Sequence, residues 1–166
     1  MSNRIFIISD THFNHKKVCG MEPNSRPFAS VQEHDAELVY RWNNTVRKND
    51  TVWHLGDVLF GREGFESLRQ LNGVKKLVMG NHDQYNIQDY LPYFSQIYAM
   101  AKMRGCLFTH VPIHPYQFYR FKANIHGHMH SATIDDPRYI NVCAEHTNLT
   151  PVLLDTVMLR VPNDNS

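Results

Sequence analysis

Three short runs of β-branched and aromatic residues constrain this chain more than any other feature. Arg4 to Ser9, Thr51 to Leu55 and Val74 to Met79 each read as a buried strand, and each is closed by polar residues or a glycine: Asp10, Gly56-Asp57 and Gly80-Asn-His-Asp83. Between the first two, Ser30 with Glu33 forms a capping-box pattern. It opens a helix carrying Leu38, Val39, Trp42 and Val46 at helical spacing, and Asn49-Asp50 ends it. Glu63 to Leu71 is a second, shorter helix stopped by Asn72-Gly73. This β-α-β-α-β grammar calls for a sheet with crossover helices.

The second half changes character. Ile97 to Met103, Cys106 to Val111, Ala123 to Ile125, Tyr139 to Val142 and Val152 to Leu159 read as strands with little helix between them. Two sheets with helices outside is the assembly expected, as one domain over residues 1–160 with a disordered tail over 161–166. With 166 residues and 42% hydrophobic side chains, the chain can bury a core without staples. Its 17 basic and 16 acidic residues leave a net charge of +1. Pairs such as Lys16-Lys17 and Lys75-Lys76 read as solvated charges, so the basic stripe of a protein that lives on long nucleic acid is missing. Three cysteines, Cys19, Cys106 and Cys143, show no C-x-x-C spacing and indicate neither a disulfide framework nor a thiolate zinc site. The apolar run in MSNRIFIISD is too short for a signal peptide or a membrane span, so a cytoplasmic setting is expected.

Five strand ends deliver side chains of the metal-binding type: Asp10 and His12; Asp57; Asn81 with His82 and Asp83; His110; then His128 and His130. Taken singly, each reads as a hydrogen-bonding or solvated residue, and the three histidines of NIHGHMH would suit the wet face of an edge strand. Together they fit a different pattern, because sites in α/β sheets gather at the carboxyl ends of strands. Carboxylate, carboxamide and imidazole without thiolate suit Mn, Fe, Zn, Co or Ni better than calcium. His15, His34, His54, His114 and His146 read as surface or packing residues, with His15 and His54 able to support neighbouring ligand blocks.

The series D-x-H (Asp10 to His12), G-D (Gly56-Asp57), G-N-H-D (Gly80 to Asp83), a lone His110 and G-H-x-H (Gly127 to His130) resembles the calcineurin-like metallophosphoesterase superfamily. The run T-H-F-N-H-K, the R-P-F of Arg26 to Phe28 and the H-x-P-I of His110 to Ile113 resemble its small bacterial and phage members without a cap domain. One departure is that the fourth block reads Thr-His110, where many members have Gly-His. The resemblance implies a four-layer α/β/β/α metallophosphoesterase sandwich of two packed mixed β-sheets flanked by helices. It also implies a two-metal site, with Asp10, His12 and His130 on one ion, Asn81, His110 and His128 on the other, and Asp57 bridging. Two divalent cations are the expected cofactors, Mn²⁺ first, with Fe, Zn, Ni or Co as alternatives. His126 falls outside the motif and reads as a strand or supporting residue.

Such a site hydrolyses phosphate esters. Two divalent cations carry four positive charges, of which Asp10, Asp57 and a bridging hydroxide would cancel three. The cations lower the pKa of water from about 15.7 toward roughly 7, and the hydroxide attacks phosphorus in line. His82 is implied as the general acid for the leaving oxygen, with Asp83 orienting it. The expected activity is that of a phosphodiesterase on a small phosphate ester or nucleotide; a phosphomonoesterase, a nuclease or a non-catalytic scaffold are the alternatives. Arg26 is a candidate phosphate contact. Arg120 is another, in the segment Pro115-Tyr-Gln-Phe-Tyr-Arg-Phe121, which is expected to pass beside the site and stack a base.

Overall fold

The computed structural model describes residues 3–162, so residues 163–166 of the expected tail lie outside it. In chain order the strands are β1 (Ile5–Ile8), β2 (Thr51–His54), β3 (Val74–Val78), β4 (Gln96–Tyr98), β5 (Ala101–Met103), β6 (Cys106–Thr109), β7 (Asn124–His126), β8 (Tyr139–Asn141) and β9 (Val152–Leu153). The α-helices are α1 (Val18–Met21), α2 (Val31–Thr45), α3 (Gly64–Gln70), α4 (Ile87–Tyr90) and α5 (Leu154–Met158). One sheet has the order β4-β3-β2-β1-β9, parallel except for β9. The other has the order β5-β6-β7-β8, parallel except for β5.

The alternation of side chains along the central strands sorts the core into two layers. Phe6 and Ile8 of β1, Val52 of β2 and Leu77 of β3 face the helices, where they meet Leu38 and Trp42 of α2 and Phe65 and Leu68 of α3. Their neighbours Ile7, Trp53 and Val78 face the second sheet and pack with Phe108, Ile125 and Ile140. The helix α2 starts where the capping pattern places it: Ser30 Oγ accepts the Glu33 N–H at 3.1 Å, and Glu33 Oε2 accepts the Ala29 N–H at 3.0 Å. The outermost layer, over the second sheet, is thin. It is a 3-10 helix, Pro115–Tyr119, whose Phe118 meets Tyr139 edge-on at 5.0 Å and carries the Arg138 guanidinium 4.2 Å over its ring. The result is the expected arrangement of two mixed sheets flanked by helices.

Two elements differ from the sequence reading. Ile97 to Met103 is two strands in different sheets, because the chain leaves β4 at Ala99-Met100 and enters β5, a bend that no glycine or proline marks. Val152 to Leu159 is a strand only as far as Leu153. Leu154, Val157 and Met158 then recur at helical spacing, and α5 buries them against the core between the sheets. Among the described residues, no helix is long and apolar enough to cross a membrane.

The core between the sheets is tested at Phe108, which is fully buried and meets Trp53 edge-on at 5.6 Å. Phe108→Ala should lower the unfolding free energy by about 3–5 kcal/mol in urea titration, whereas Tyr116→Ala, on the exposed outer layer, should change it by less than about 0.5 kcal/mol.

Candidate metal centre

The strands β1, β2 and β3 of one sheet and β6 and β7 of the other release their carboxyl ends at one place. A parallel bridge between Ser9 and Cys143 ties the sheets together there, with the Ser9 N–H donated to Val142 O at 2.9 Å and the Ala144 N–H to Ser9 O at 2.9 Å. Beyond the strands the backbone turns sharply. Of the nine non-glycine residues with positive φ among those described, five are Asp10 (58°), His12 (51°), Asp57 (53°), His128 (70°) and His130 (48°). Asp and His tolerate the left-handed region better than most side chains, yet five such residues in one cluster are strained backbone of the kind that active sites hold.

Space is as restricted as conformation. A Cβ on Gly80 would lie 2.3 Å from Asp57 Oδ1, and one on Gly127 would lie 2.0 Å from Ser9 Oγ and 2.4 Å from Asp10 Oδ2. The glycines of G-N-H-D and G-H-x-H are therefore required by the close approach of carboxylates. Thr109, in place of the more usual glycine before His110, turns its hydroxyl away to Val111 O at 2.7 Å and costs the site no room.

Two groups of donors result. Asp10, His12 and His130 each bring one donor atom within 4.8 Å of the others, and Asp57, His110 and His128 do the same. Asp57 Oδ2 stands between the groups, 3.8 Å from His12 Nε2 and 3.3 Å from His110 Nε2. Asn81 Oδ1 completes the second group, 2.9 Å from His110 Nε2. These seven residues were the ones expected at the metals, and the fold brings all of them together.

Hydrogen bonding shows what the groups lack. Leu55 O can only accept, so at 2.7 Å it takes the proton of His110 Nδ1, while Nε2 faces two further acceptors, Asn81 Oδ1 and Asp57 Oδ2. Burial lowers the pKa of this ring, but the Asp57 carboxylate prevails and raises it. Once Nε2 gives up its own proton, three acceptors meet at one point, and a cation fits among them. In the other group, Asp10 Oδ1 and His12 Nε2 are buried without any hydrogen-bond partner, 3.6 Å apart. Two donors each about 2.1 Å from one ion lie at most about 4.2 Å apart, so this pair fits a shared ion. Burial would raise the pKa of Asp10, but His12 and His110 overcome it and hold the carboxylate ionised. The residues fit divalent cations that prefer nitrogen and oxygen donors.

Around the donors lies a shell of polar side chains that fixes them. His130 Nδ1 is 3.0 Å from Glu145 Oε1, which leaves Nε2 for a metal. Burial works against ionising Glu145, but His130 and Arg26 prevail and take its pKa to about 2. The His12 ring contacts His15 Nδ1 at 3.1 Å, and His15 stacks on Phe60 with ring centroids 4.0 Å apart. Cys143 donates its thiol to Asp10 Oδ2 at 3.1 Å. His54, fully buried, accepts the Gly56 N–H and pairs with the Thr11 hydroxyl at 2.9 Å, so burial drives its pKa to about 3. His126 is also buried, with Nδ1 on Gly127 O at 2.8 Å, and is a strand residue.

Three sequence expectations are corrected. Arg26 does not face a phosphate: it is fully buried, and it donates to Asp10 O at 2.5 Å, Thr11 O at 3.1 Å and Glu145 Oε1 at 2.8 Å. It braces the backbone of the first ligand block. Asp83 does not orient His82. Its carboxylate accepts the N–H groups of Asp57 (2.9 Å), Val58 (2.9 Å) and Gly80 (2.8 Å), clamping the loops after β2 and β3 to each other. Arg120 lies away from the site. Because β6 and β7 are parallel, their connection must return to the opposite end of the sheet, and Lys122 N–H already bonds Gly105 O in the β5–β6 turn. Glu145 and Cys143 carry no motif of their own: Arg26 and Asp10, which they meet, lie 119 and 133 positions away, and no recognisable spacing joins Glu145 to His130.

The sequence profile of the calcineurin-like phosphoesterase superfamily domain matches residues 4–144. The chain belongs to that superfamily. Its relatives include an uncharacterized protein of Methanocaldococcus jannaschii, 32% identical over 168 residues that cover 93% of this chain and 89% of that one. The gene 66 protein of Mycobacterium phage D29 is 29% identical over 180 residues, covering 86% and 87%. Among solved structures, a protein of unknown function from Aquifex aeolicus superposes with a TM-score of 0.77 at 25% identity, covering 95% of this chain and 99% of that one. For this metallophosphoesterase, Glu145→Gln should weaken metal affinity by about 10–100-fold in equilibrium dialysis while far-UV circular dichroism stays unchanged, because the amide supports His130 without the charge.

Proposed function

We propose that this chain hydrolyses phosphodiesters with two divalent cations, one held by Asp10, His12 and His130, the other by Asn81, His110 and His128, with Asp57 shared. The observation that carries this reading is the position of Asp57 Oδ2 between two three-donor groups, 3.8 Å from one and 3.3 Å from the other. When bound, such cations neutralise phosphate charge and acidify water, and Mn²⁺ is the first candidate for N/O donors.

The protein's own groups do the rest. Asp57 Oδ1 accepts the His82 N–H at 2.9 Å, which fixes the carboxylate so that Oδ2 faces the donors. The same bond anchors the backbone of His82, whose exposed ring stands 6.3 Å from that of His12 and 5.0 Å from that of Phe60. As a hydroxide oxygen bonds to phosphorus and the bond to the ester oxygen breaks, the departing alkoxide takes a proton from the protonated imidazole, which is left neutral. A diester is favoured over a monoester because Arg26 is internal and Arg120 lies elsewhere. The second negative charge of a monoester thus meets neither guanidinium.

Hydrolysis of bis(p-nitrophenyl) phosphate should appear with added Mn²⁺, exceed that of p-nitrophenyl phosphate, and vanish on chelation. No turnover with any of Mn, Ni, Co, Zn or Fe would defeat the proposal. Asp57→Ala should lose both metals by elemental analysis. His82→Ala should retain them and lose about 10²–10⁴-fold in kcat on a diester with an alkoxide leaving group, with a smaller loss for p-nitrophenolate, which departs without a proton.

A further inference from the structure

Beside His82 the surface opens into a cleft of about 290 Å³, lined by Leu59, Phe60, Gly61, His82, Gln84 and Tyr85. No metal donor lines it. Its walls are aromatic and held in place from behind. Phe60 donates its N–H to Phe13 O at 2.7 Å and accepts the Asn14 side-chain amide on its own carbonyl at 2.8 Å. Its half-buried ring stacks on His15 at 4.0 Å and stands tilted to His82 at 5.0 Å. Tyr85 is propped against Phe65 at 5.4 Å and carries the Arg62 guanidinium 5.3 Å over its ring. Gln84 adds an exposed carboxamide that can meet the polar edge of a ring.

We infer that this cleft is the leaving-group subsite and that it takes a planar aromatic ring carried on the departing alcohol. The inference rests on the phosphodiesterase reading, and it follows from the position of His82. A proton donor must stand within hydrogen-bond reach of the oxygen that leaves, so the group attached to that oxygen continues past the imidazole. What lies past it is this cleft, preformed, walled by Phe60 and Tyr85 and floored by Leu59. Its volume sits at the lower edge of the roughly 300–1,000 Å³ usual for ligand clefts, enough for one ring system. Flat π-faces attract flat rings more than saturated rings of the same size, and stacking is tolerant of ring identity. The aromatic recognition that sequence placed on the Pro115–Phe121 segment is thus supplied from the loops after β2 and β3.

Two non-hydrolysable probes separate ring flatness from size: benzylphosphonate and cyclohexylmethylphosphonate, as competitive inhibitors of bis(p-nitrophenyl) phosphate hydrolysis by the Mn²⁺-loaded protein. Benzylphosphonate should bind about fivefold tighter. Tyr85→Leu, which touches no metal donor, should remove that preference while metal content and the thermal midpoint hold. Phe60→Leu should remove it as well. The source of the ring is read from nucleoside 2′,3′-cyclic phosphates. A KM raised by Tyr85→Leu identifies a nucleobase, and an unchanged KM with the benzyl preference intact in the wild type identifies a smaller aryl group. Equal inhibition by the two phosphonates, in a protein that does hydrolyse the diester, overturns the subsite and leaves the phosphoesterase reading standing. Absence of hydrolysis with every metal overturns both.

Discussion

Two carboxylates, Asp10 and Asp57, are buried at the same end of the fold, with residue exposures of 0% and 1%. Like charges out of water are costly unless something positive lies between them. The protein supplies imidazoles: His110, whose Nε2 stands 3.3 Å from Asp57 Oδ2, and His12, whose Nε2 has no hydrogen-bond partner. This concentration of negative charge is therefore a property of the folded chain itself. It makes cation binding part of the site's stability as well as of its chemistry, since any ion that binds the folded state alone adds to that stability.

Everything near these carboxylates serves to keep them there. The αL backbone at five of the candidate donors would relax if the surrounding loops could move, and the loops are tied at several points. Asp83 gathers three N–H groups from the turns after β2 and β3. Arg26 and Glu145 form a buried ion pair at 2.8 Å that reaches the Asp10 carbonyl on one side and the His130 ring on the other. Buried pairs of this kind are a poor source of net stability, and their better-attested use is to specify a geometry. Here the geometry specified is that of Asp10 and His130, residues far apart in the chain whose donor atoms lie within 4.8 Å of each other.

The sequence made some of this legible and concealed the rest for identifiable reasons. The seven candidate donors could be picked out because each lies a few residues past the carboxyl end of a strand, and strand ends in an α/β fold converge whatever the loops do. The two sheets could be read because Phe6 to Ile8, Val52-Trp53 and Leu77-Val78 are apolar on both faces, as strands covered on both sides must be. Roles that depend on a single distant partner could not. Arg26 before Pro27 has the look of a surface turn, and nothing local announces Glu145. Asp83 follows His82 in sequence, which suggested a pair, but its carboxylate turns the other way to reach backbone amides. Arg120 was misplaced through strand direction. A connection between parallel strands carries its far end away from the site, and the parallel pairing of β6 with β7 is set by tertiary packing.

The two donor groups are buried alike, and one exposed member, Asn81, gives the site a direction. His12 is 2% exposed and backed by His15 and Phe60, and Asp10 is enclosed by Cys143, Arg26 and the His128 N–H at 2.9 Å. In the second group Asp57 and His110 are as buried, His128 is half-buried as His130 is in the first, and Asn81 is exposed. Solvent, and anything that arrives from it, meets the site on the side of Asn81 and His82. The buried Asp10, His12, Asp57 and His110 interact strongly, because the low local dielectric removes the screening that water provides. The exposed edge at Asn81 leaves a path for an incoming anion and for the alcohol that departs. The buried donors thus set charge and geometry, and the exposed edge, with His82 on its rim and the Phe60–Tyr85 cleft beyond, is where substrate identity can be distinguished.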